Sequence, residues 1–420
     1  MIKKTKLYLA TNGFPWGKGE KSFITPEIPY LLDRFDLVII SKVSKEVGQQ
    51  KEYRTELDKR IKVVKYNARP LSKREIINGS LKAIFSLTMI KEIVSIIHER
   101  ENIKVRVRES LSFFLHAKRY AKWIEDNKVI NKNEKTIFYS YWSSYYHLAA
   151  TMLKEEYPLL KVVSRMHGMD LYNERYIGGR QPFKKIMDLN SEKLIFACKY
   201  GMCYYIQHFV DVNKTDKYEV CRLGTEKIER KQNKSQEDSF CLVSCSNVIP
   251  LKRVEIIVDA LSRINDLKIK WIHFGDGDSL EGIKKRASEK LADNITLLFM
   301  GHVDNQKIRE FYEKYQVDCF ITTSSTEGGC PVSITEAMSA SIPVIGTSVG
   351  GISEMIDGNG VLLPQNPTIE EVEAAIRKIY SVDDEQRQQM CNRSLEIWKR
   401  FFDEKNNAKH VVGILEEVLE

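Results

Sequence analysis

The sequence predicts an α/β protein with two doubly wound domains, each holding a parallel sheet covered on both faces by helices. Three observations support this prediction. The chain has 420 residues, which is too long for one ordinary core. Short apolar runs alternate with longer amphipathic segments, as strands alternate with crossover helices in parallel sheets. This alternation occurs twice, on either side of a polar stretch.

The predicted strands are the short apolar runs, which are typical of strands buried on both faces. In the first half they cover residues 6–11, 36–41, 61–66, 136–141, 161–165, 193–197 and 219–223. In the second half they cover residues 240–245, 269–274, 295–300, 317–322, 343–346 and 360–363.

The polar stretch EKIERKQNKSQEDS has the composition of an exposed linker. The tail has a helical pattern in which Trp398 and Phe402 belong to one apolar group. The predicted organisation is a first domain at 1–225, the linker at 226–239, a second domain at 240–395 and a last helix at 396–420.

Composition places the chain among ordinary globular proteins, with 43% hydrophobic and 29% charged residues. No apolar run approaches the ~18 residues of a transmembrane helix, and the first residues have only a very short apolar run, so we expect no cleaved signal peptide. Eight cysteines without CxxC pairs are typical of buried thiols in a reducing compartment. We therefore expect a cytoplasmic protein.

Charge is distributed unevenly along the chain. Residues 1–200 hold 38 Lys and Arg against 22 Asp and Glu, whereas the remaining residues hold 27 against 35. This excess indicates that the first half faces a polyanion. Anionic lipid, a lipid-linked diphosphate or, on charge alone, nucleic acid would satisfy it.

Two carboxylates lie close together after a predicted strand in the second half. Glu327 belongs to a Gly-Gly turn, and Glu336 to the helix that Pro331 begins. Between them lie the amides of a helix N-terminus, which attract anions. Carboxylates that accept hydroxyl hydrogens beside amides that bind phosphate fit a sugar nucleotide.

This segment resembles the donor-site signature of family-4 glycosyltransferases, which are retaining enzymes with the GT-B fold. Glu327-Gly328 and Glu336-Ala337-Met338 match that signature, and Pro343-Val344-Ile345 follow as they do in the family. The family places seven residues between the glutamates and this chain has eight, which we interpret as a one-residue insertion at Gly329. The resemblance covers residues 240–365 best and extends to 5–32 and 160–176. It implies two Rossmann-like domains facing a deep cleft, with the last helix crossing back to the first domain.

The segment SNVIPLKR at residues 246–253 follows the strand predicted at 240–245. The family has an arginine and a lysine here that neutralise the donor diphosphate. Lys252 matches the lysine, but Asn247 stands at the arginine position. Either Arg253 supplies the charge that is missing at Asn247, or Lys252 and backbone amides bind the diphosphate alone. The alternative is that Lys252 and Arg253 are two solvated charges.

Gly275-Asp276-Gly277 matches the family's turn after the strand at 269–274, where glycines permit a sharp bend beside the nucleoside. Asp276 and Asp278 also form a DxD pattern, which holds a metal ion in a different glycosyltransferase fold. We interpret the segment as a structural turn and predict no metal. Gly350, in a Gly-Gly pair opening a predicted helix, fits close approach to phosphate, or a plain loop.

Two motifs in the first domain also match. A loop with Gly17 and Gly19 follows the first strand, and resembles the family's glycine-bearing loop, although a surface turn explains it equally well. His167 and Asp170 follow the strand at 161–165 and match the family's His-Gly-x-Asp. The resemblance implies that His167 contacts the donor sugar and that Asp170 orients the histidine side chain. Without the resemblance, a lone histidine is usually structural.

The resemblance implies front-face displacement, in which the leaving diphosphate takes the proton of the acceptor hydroxyl. The protein positions both substrates and stabilises charge on the diphosphate. The residues expected to act in catalysis are His167, Lys252 and Glu327. Those expected to bind the donor, most simply a UDP-linked hexose, are Gly17, Gly19, Asn247, Arg253, Gly275, Gly328, Gly329, Cys330, Val332, Glu336 and Gly350.

The acceptor is predicted to be a saccharide or a polyprenyl-diphosphate-linked saccharide of cell-surface polysaccharide synthesis. The basic region at 59–135 has two amphipathic segments, which pack on the first sheet or rest in part on anionic membrane. The aromatic stretch at 138–147 lines the acceptor side or belongs to the core.

Other functions remain open. One is another GT-B enzyme, either a sugar-nucleotide 2-epimerase or a phosphorylase with pyridoxal phosphate. Another is a non-enzymatic binder of lipid or nucleic acid. A purely binding function leaves Glu327, Glu336 and Lys252 unexplained. We therefore expect no nucleic-acid partner.

Overall fold

The computed structural model describes residues 4–17, 20–43, 55–210, 216–230 and 239–420. The chain divides into two compact units. The first unit contains residues 1–221 and 408–420, and the second contains residues 222–407. The α/β class predicted from the sequence is confirmed, since both sheets in the described residues are parallel and flanked by helices.

The first unit holds a seven-stranded parallel sheet in the order β3-β2-β1-β4-β5-β6-β7. Its strands are β1 Lys6–Thr11, β2 Asp36–Val43, β3 Lys62–Asn67, β4 Thr136–Ser140, β5 Leu160–Met166, β6 Lys193–Phe196 and β7 Tyr218–Val220. Its helices are α1 Lys21–Ile24, α2 Ile28–Arg34, α3 Lys73–Ala83, α4 Leu87–Glu99, α5 Ile103–Asp126, α6 Tyr145–Leu153, α7 Lys184–Leu189 and α8 Lys199–Phe209.

The second unit holds a six-stranded parallel sheet in the order β10-β9-β8-β11-β12-β13. Its strands are β8 Phe240–Cys245, β9 Ile269–Phe274, β10 Ile295–Phe299, β11 Cys319–Thr322, β12 Val344–Thr347 and β13 Gly360–Leu363. Its helices are α9 Val254–Leu261, α10 Leu280–Lys290, α11 Asn305–Lys314, α12 Val332–Ser339, α13 Ile369–Ser381 and α14 Asp384–Phe401.

Every strand predicted from the sequence is present, with ends that differ by up to three residues. The tail differs from the prediction. It forms α14 and a separate helix α15, Glu404–Glu417, rather than one helix over 396–420. The break comes at Phe402, whose side chain is buried, and Asp403, whose carboxylate accepts from the Asn406 amide. A buried aromatic followed by a local turn therefore separates the two helices.

Alternation along β1 shows why the first sheet is covered on both faces. Leu7 and Leu9 point into one buried cluster, which includes Val411 and Leu415 of the last helix. Tyr8 points into the opposite cluster, with several side chains of α4, α5 and α6. Successive strand residues face opposite sides. Both faces of the first sheet are therefore dry, as its near-continuous apolar strands predict.

The second unit has a comparable core. Trp271 and Ile321 of the sheet pack in one buried cluster with Ile257 of α9 and Ile376 of α13. In this sheet β8 lies between β9 and β11, so the chain reverses its direction of winding between β8 and β11. In open parallel sheets, ligands bind beyond the carboxyl ends of the strands at such a reversal.

Candidate functional site

The predicted donor residues of the second unit come from loops that meet beyond the carboxyl ends of β8, β11 and β12. The Ser325 amide donates to the Leu251 carbonyl at 2.8 Å, which joins the loops after β8 and β11. The hydroxyl of Thr347 donates to the Ser324 carbonyl at 2.6 Å, which adds the loop after β12. The loops thus form one hydrogen-bonded unit at the reversal between β8 and β11.

Lys252 and Glu327, predicted on different loops, contact each other directly. Lys252 ends a 3-10 turn after β8, and its Nζ donates a hydrogen bond to Oε1 of Glu327. The two side chains are 22% and 12% exposed, so both charges are largely removed from water. The structure therefore brings the predicted phosphate-binding cation and sugar-binding carboxylate to one place.

Arg253 has a different surrounding from the one predicted. Its guanidinium donates to the carbonyls of Thr323 at 2.7 Å, Ser324 at 2.9 Å and Gln365 at 2.7 Å. It also donates to the side chain of Asn366 at 3.0 Å. Four of its five N–H groups are thus bonded to the protein. Arg253 holds the loop after β11 in place, and this use of its donors argues against its compensating for Asn247.

Gly350 allows the loop after β12 to approach the backbone of Glu327. It has φ +52°, and a Cβ atom at this position would lie 2.3 Å from the Glu327 carbonyl oxygen. Next to it, the Gly351 amide donates to the Gly329 carbonyl at 3.1 Å. Only glycine fits such an approach without moving backbone. Gly350 therefore allows the loop after β12 to pack directly against the loop that carries Glu327.

Helix α12 begins directly after that loop. Pro331 is its N-cap, one residue before the helix, and its carbonyl accepts from the amides of Ile334 and Thr335. Within the described residues, the amides of Val332 and Ser333 have no protein acceptor. Free amides and the helix dipole favour a negative charge at this position. The predicted loop of Gly328, Gly329, Cys330 and Val332 leads into this N-terminus.

Glu336 is deeply buried on the same helix. It is 5% exposed, and its carboxylate has no hydrogen-bond partner in the part of the chain that the structure describes. Burial raises its pKa from 4.5 to about 7, against a smaller lowering by the positive charge of Arg309. A buried carboxylate normally has donors. Glu336 is thus available to accept from ligand hydroxyls.

Gly275 shapes the loop after β8. It has φ +147°, and a Cβ atom there would lie 1.8 Å from the Ser246 carbonyl oxygen. The Val248 amide donates to the carbonyl of Asp276 at 3.0 Å, so the two turns pack backbone to backbone. Asn247 is exposed between them. Gly275 and Asp276 act as a turn, as the sequence predicts.

In the first unit, His167 lies in an aromatic pocket after β5. Its ring centroid is 4.3 Å from that of Trp142 and 5.4 Å from that of Tyr141. Burial, and then the charge of Arg165, lower its pKa to about 3. Its buried Nε2 has no partner among the described residues. The imidazole is therefore neutral and has one nitrogen free for a ligand.

Asp170 does not orient the imidazole as predicted. Its carboxylate accepts from the backbone amides of His167, at 2.6 Å, and Ser143. It therefore fixes the main chain of the loop that carries His167. Burial raises the pKa of Asp170 to about 6, opposed by the nearby charge of Lys184.

The loop after β1 has an anchor that the sequence reasoning did not recognise. Glu20 accepts from the amides of Asn12 at 2.9 Å and Phe14 at 2.8 Å, and from the indole of Trp142. Gly17 donates its amide to the Gly13 carbonyl at 2.7 Å, closing the turn. Gly19 lies outside the described residues. The position of Glu20 directly after the glycine-bearing loop is the signal that identifies this role.

The aromatic stretch at 138–147 is mostly core. Phe138, Tyr139, Tyr141 and Tyr146 are almost fully buried, whereas Tyr145 is partly exposed.

Among the helices in the described part of the chain, none combines the length and the hydropathy of a transmembrane span.

Comparison with known proteins agrees with the geometry. Residues 225–396 match the family model of glycosyl transferases group 1. Over 143 residues the chain is 33% identical to the O-antigen biosynthesis glycosyltransferase WbnH of Escherichia coli, covering 34% of this chain and 38% of WbnH. The chain thus spans about two fifths of that relative's length.

Two further similarities extend over more of the chain. The uncharacterized glycosyltransferase MJ1178 of Methanocaldococcus jannaschii is 27% identical over 297 residues, 70% of this chain and 78% of that protein. The crystal structure of Anabaena HepE in complex with UDP-glucose superposes with a TM-score of 0.65 and 14% identity, covering 98% of this chain and 100% of HepE. The resemblance predicted from the sequence is thus confirmed for residues 225–396, which match glycosyl transferases group 1, and the fold of the chain is similar to that of a solved glycosyltransferase-like structure over nearly its whole length.

Proposed function

We propose that this protein is a retaining glycosyltransferase that moves a hexose from a UDP-linked donor to a saccharide or lipid-linked saccharide in cell-surface polysaccharide synthesis. One observation carries the proposal. Lys252, Glu327, the free amides of α12 and the unpartnered Glu336 meet at the reversal of the second sheet. Their chemistry matches a diphosphate flanked by two sets of hydroxyls.

Each residue has a proposed role. Lys252 and the amides of Val332 and Ser333 stabilise negative charge on the leaving diphosphate. Glu327 accepts from hydroxyls of the donor sugar, and Glu336 accepts from those of the ribose. In the first unit, His167 offers the Nε2 of a neutral imidazole to a ligand as a hydrogen-bonding atom rather than a cation.

The reaction proposed is front-face displacement. The bond from the anomeric carbon to the diphosphate breaks, the acceptor oxygen bonds to the same face, and the diphosphate takes the hydroxyl proton. Glu327 is bonded to Lys252, so it is assigned to binding rather than to nucleophilic attack. The UDP-glucose complex of the structurally similar HepE supports a uridine donor.

The test is a screen of UDP- and GDP-linked hexoses for thermal stabilisation and for release of nucleotide, followed by proton NMR of the glycoside formed. We expect a UDP-linked donor to stabilise the protein and the product to keep the donor's anomeric configuration. Inversion would refute the retaining assignment. A changed sugar nucleotide without acceptor would instead show an epimerase.

The control is a lysine of the second unit that lies outside the site. Glu327→Gln and Lys252→Ala should each lower turnover strongly, because each removes a group that binds the donor. Lys284→Ala on α10, whose partner Glu281 lies three residues away on the same helix, should leave it unchanged. Near-normal turnover by both site variants would show that Glu327 and Lys252 do not bind the donor.

A membrane contact is proposed for the surface of α3 and α4, named the α3–α4 surface. Phe85 is 86% exposed and Leu87 74%, although both are large and apolar. The other exposed apolar side chains of this surface are Ile76, Ile77, Leu81, Ile84, Ile90, Val94 and Ile97. By contrast Phe114, Ala117, Ala121 and Ile124 of α5 are buried in the core. Of the two amphipathic segments, only α4 thus has an exposed apolar face.

Charge around this surface favours an anionic bilayer. The acidic side chains Glu75, Glu92 and Glu99 are each bonded to an arginine, so their charges are neutralised. The cations Lys73, Arg74, Lys82 and Lys91 lie along the same two helices, with no ion pair in the described part of the chain. Apolar side chains flanked by free cations bind anionic membranes.

Flotation with vesicles containing phosphatidylglycerol tests this contact. The protein should float at low salt, and Phe85→Ser/Leu87→Ser should sediment because the inserted apolar area is lost. Lys284→Ala/Lys285→Ala is the matched control and should float. Failure of the unaltered protein to float, or a dimer that Phe85→Ser/Leu87→Ser disrupts, would refute the membrane contact.

A further inference from the structure

Lys184 is a buried lysine of the first unit. It is the first residue of α7 and is 2% exposed. Lysine is almost never fully buried unless the protein supplies partners for its ammonium group. The Nζ atom of Lys184 donates to the carbonyl and to the hydroxyl of Ser143, both at 2.8 Å. Ser143 belongs to the loop after β4 and directly follows Trp142, whose ring packs on His167.

Ser143 is hydrogen-bonded through its carbonyl, its hydroxyl and its amide. The carbonyl and hydroxyl accept from Lys184, and the amide donates to the carboxylate of Asp170. The other oxygen of that carboxylate accepts from the His167 amide at 2.6 Å. Lys184 and Asp170 thus join the loops after β4 and β5. These two loops supply the imidazole of His167 and the Trp142 ring beside it.

The hydrogen bonds beyond Ser143 require a donor at the position of Lys184. The Ser191 hydroxyl donates to the Met187 carbonyl at 2.6 Å, so it accepts from Nε2 of His147 at 2.7 Å. Burial, and then the charge of Lys184, lower the pKa of His147, so that its ring is neutral. Its Nδ1 therefore accepts from the Ser143 hydroxyl at 3.0 Å. That hydroxyl has donated its hydrogen to the ring and can only accept from Lys184.

The backbone of Lys184 is fixed by two other helices. Phe183, directly before it, has φ +59°, and its amide donates to Oε1 of Glu92 on α4 at 3.1 Å. The hydroxyl of Tyr205 on α8 donates to the Lys184 carbonyl at 3.3 Å. The ammonium group therefore reaches Ser143 from an anchored main chain.

The charges of Lys184 and Asp170 stabilise each other. Burial lowers the pKa of Lys184 below its ordinary value, and the carboxylate of Asp170 opposes that shift. Without the ammonium group, the buried carboxylate would take up a proton more readily. A protonated carboxyl accepts hydrogen bonds more weakly than a carboxylate does. Loss of Lys184 would therefore weaken both bonds of Asp170, to the amides of Ser143 and His167.

We propose that Lys184 is a positioning residue for His167. The inference rests on the proposed function, in which the Nε2 of His167 is offered to a ligand, and it names the residue that fixes the two loops around that atom. Lys184 acts through Ser143 and Asp170, because its own side chain is enclosed by the protein.

Nitrogen NMR of the histidine rings tests the proposal without any substrate, and His167→Gln identifies the resonances of His167. In the unaltered protein His167 should stay neutral between about pH 5 and pH 8, because burial, and then the charge of Arg165, hold its pKa at about 3. In Lys184→Met the Trp142 loop is released and water reaches the ring. The pKa of His167 should then rise towards about 6.5, so that a protonation step enters this range.

Two controls separate positioning from general stability. Lys185→Met removes a lysine from the next position of the same helix and should leave the His167 resonances unchanged. Ile124→Ala creates a cavity in the cluster on the opposite face of the first sheet from Tyr141, and should also leave them unchanged.

Ser143→Ala is a milder variant that keeps both charges and removes the hydroxyl that Lys184 binds. It should fold and shift the His167 resonances in the same direction as Lys184→Met, by a smaller amount. Unchanged His167 resonances in Lys184→Met would overturn the proposal. If Lys184→Met does not fold, unchanged resonances in Ser143→Ala would overturn it.

Turnover gives a second readout. Lys184→Met should lower turnover about ten-fold or more and leave UDP affinity within about two-fold, because a small displacement of a ligand-binding group is costly and the proposed UDP site belongs to the second unit. Equal losses of turnover and UDP affinity would indicate a merely structural role. An unaltered protein that transfers no sugar would refute the proposed function instead, and the NMR experiment would still decide the role of Lys184.

Discussion

The Nζ atom of Lys252 donates a hydrogen bond to Oε1 of Glu327, although the two residues are 75 positions apart in sequence. In the proposed reaction one of them binds the diphosphate and the other the sugar. Because the two side chains are already paired, a bound donor must either share their hydrogen-bonding groups or break the ion pair. The pair keeps each charge oriented, and either residue is costly to remove alone because the other stays largely buried.

This pair allows stability and activity to be separated. Lys252→Met and Glu327→Gln should each lower the free energy of unfolding by about 1–3 kcal/mol, because one buried charge loses its partner. The double variant should recover most of that loss and yet stay inactive. Urea unfolding and donor turnover measure the two effects. A stable, active double variant would show that the pair is structural only.

Nucleotide affinity should depend on the ionisation of Glu336. Its pKa is about 7, so the free protein holds the carboxyl protonated below that pH. A carboxylate accepts ribose hydroxyls better than a carboxylic acid does. UDP affinity should therefore fall by up to about ten-fold for each pH unit below 7. Calorimetry between pH 5 and pH 8 measures this.

The control is Glu336→Gln, which removes the titration of this side chain and leaves only that of the nucleotide.

The stability of the folded protein depends on pH in the opposite direction to the UDP affinity. The unfolded carboxyl ionises near 4.5 and the folded one near 7, so the free energy of unfolding contributed by Glu336 falls as pH rises between these values. Identical pH profiles for both proteins would contradict the assignment.

Gly350→Ala should displace the loop that carries Glu327. The new Cβ would lie 2.3 Å from the Glu327 carbonyl oxygen, at a φ of +52°. The expected cost is about 1–3 kcal/mol of stability, with a larger KM for the donor. Gly282→Ala on α10 has no atom within 4 Å of the new Cβ and should be neutral or slightly stabilising. Equal behaviour of the two variants would exclude a supporting role for Gly350.

Arg253 and Lys252 should differ in what they recognise. Lys252→Ala should weaken UDP binding more than uridine binding, because Lys252 acts on the diphosphate. Arg253→Ala should weaken both alike, since the loop at Thr323 and Ser324 loses its hydrogen bonds. The ratio of the two dissociation constants is the readout. A selective loss of UDP affinity in Arg253→Ala would restore its predicted phosphate contact.

The sequence was sufficient for the strands, and it singled out the loops after β8 and β11, which the structure brings together. Strands in a two-sided parallel sheet are apolar along their whole length, so each stands out between polar turns. Lys252, Glu327 and Glu336 were recognisable because they lie in the loop after a strand or in the helix that follows it, within segments that resemble a family signature. These features depend on local sequence alone.

Side-chain partners were not predictable in the same way. The use of Arg253 on three carbonyls, and of Asp170 on backbone amides, depends on loops brought together by the sheet. The exposed face of α4 and the buried face of α5 likewise have similar periodicity.

A crystal structure of the protein with UDP tests the central claim most directly. The account predicts the diphosphate within hydrogen-bond distance of Lys252 Nζ and of the Val332 and Ser333 amides, with the ribose hydroxyls on Glu336. A nucleotide bound elsewhere, away from the loops after β8 and β11, would contradict it.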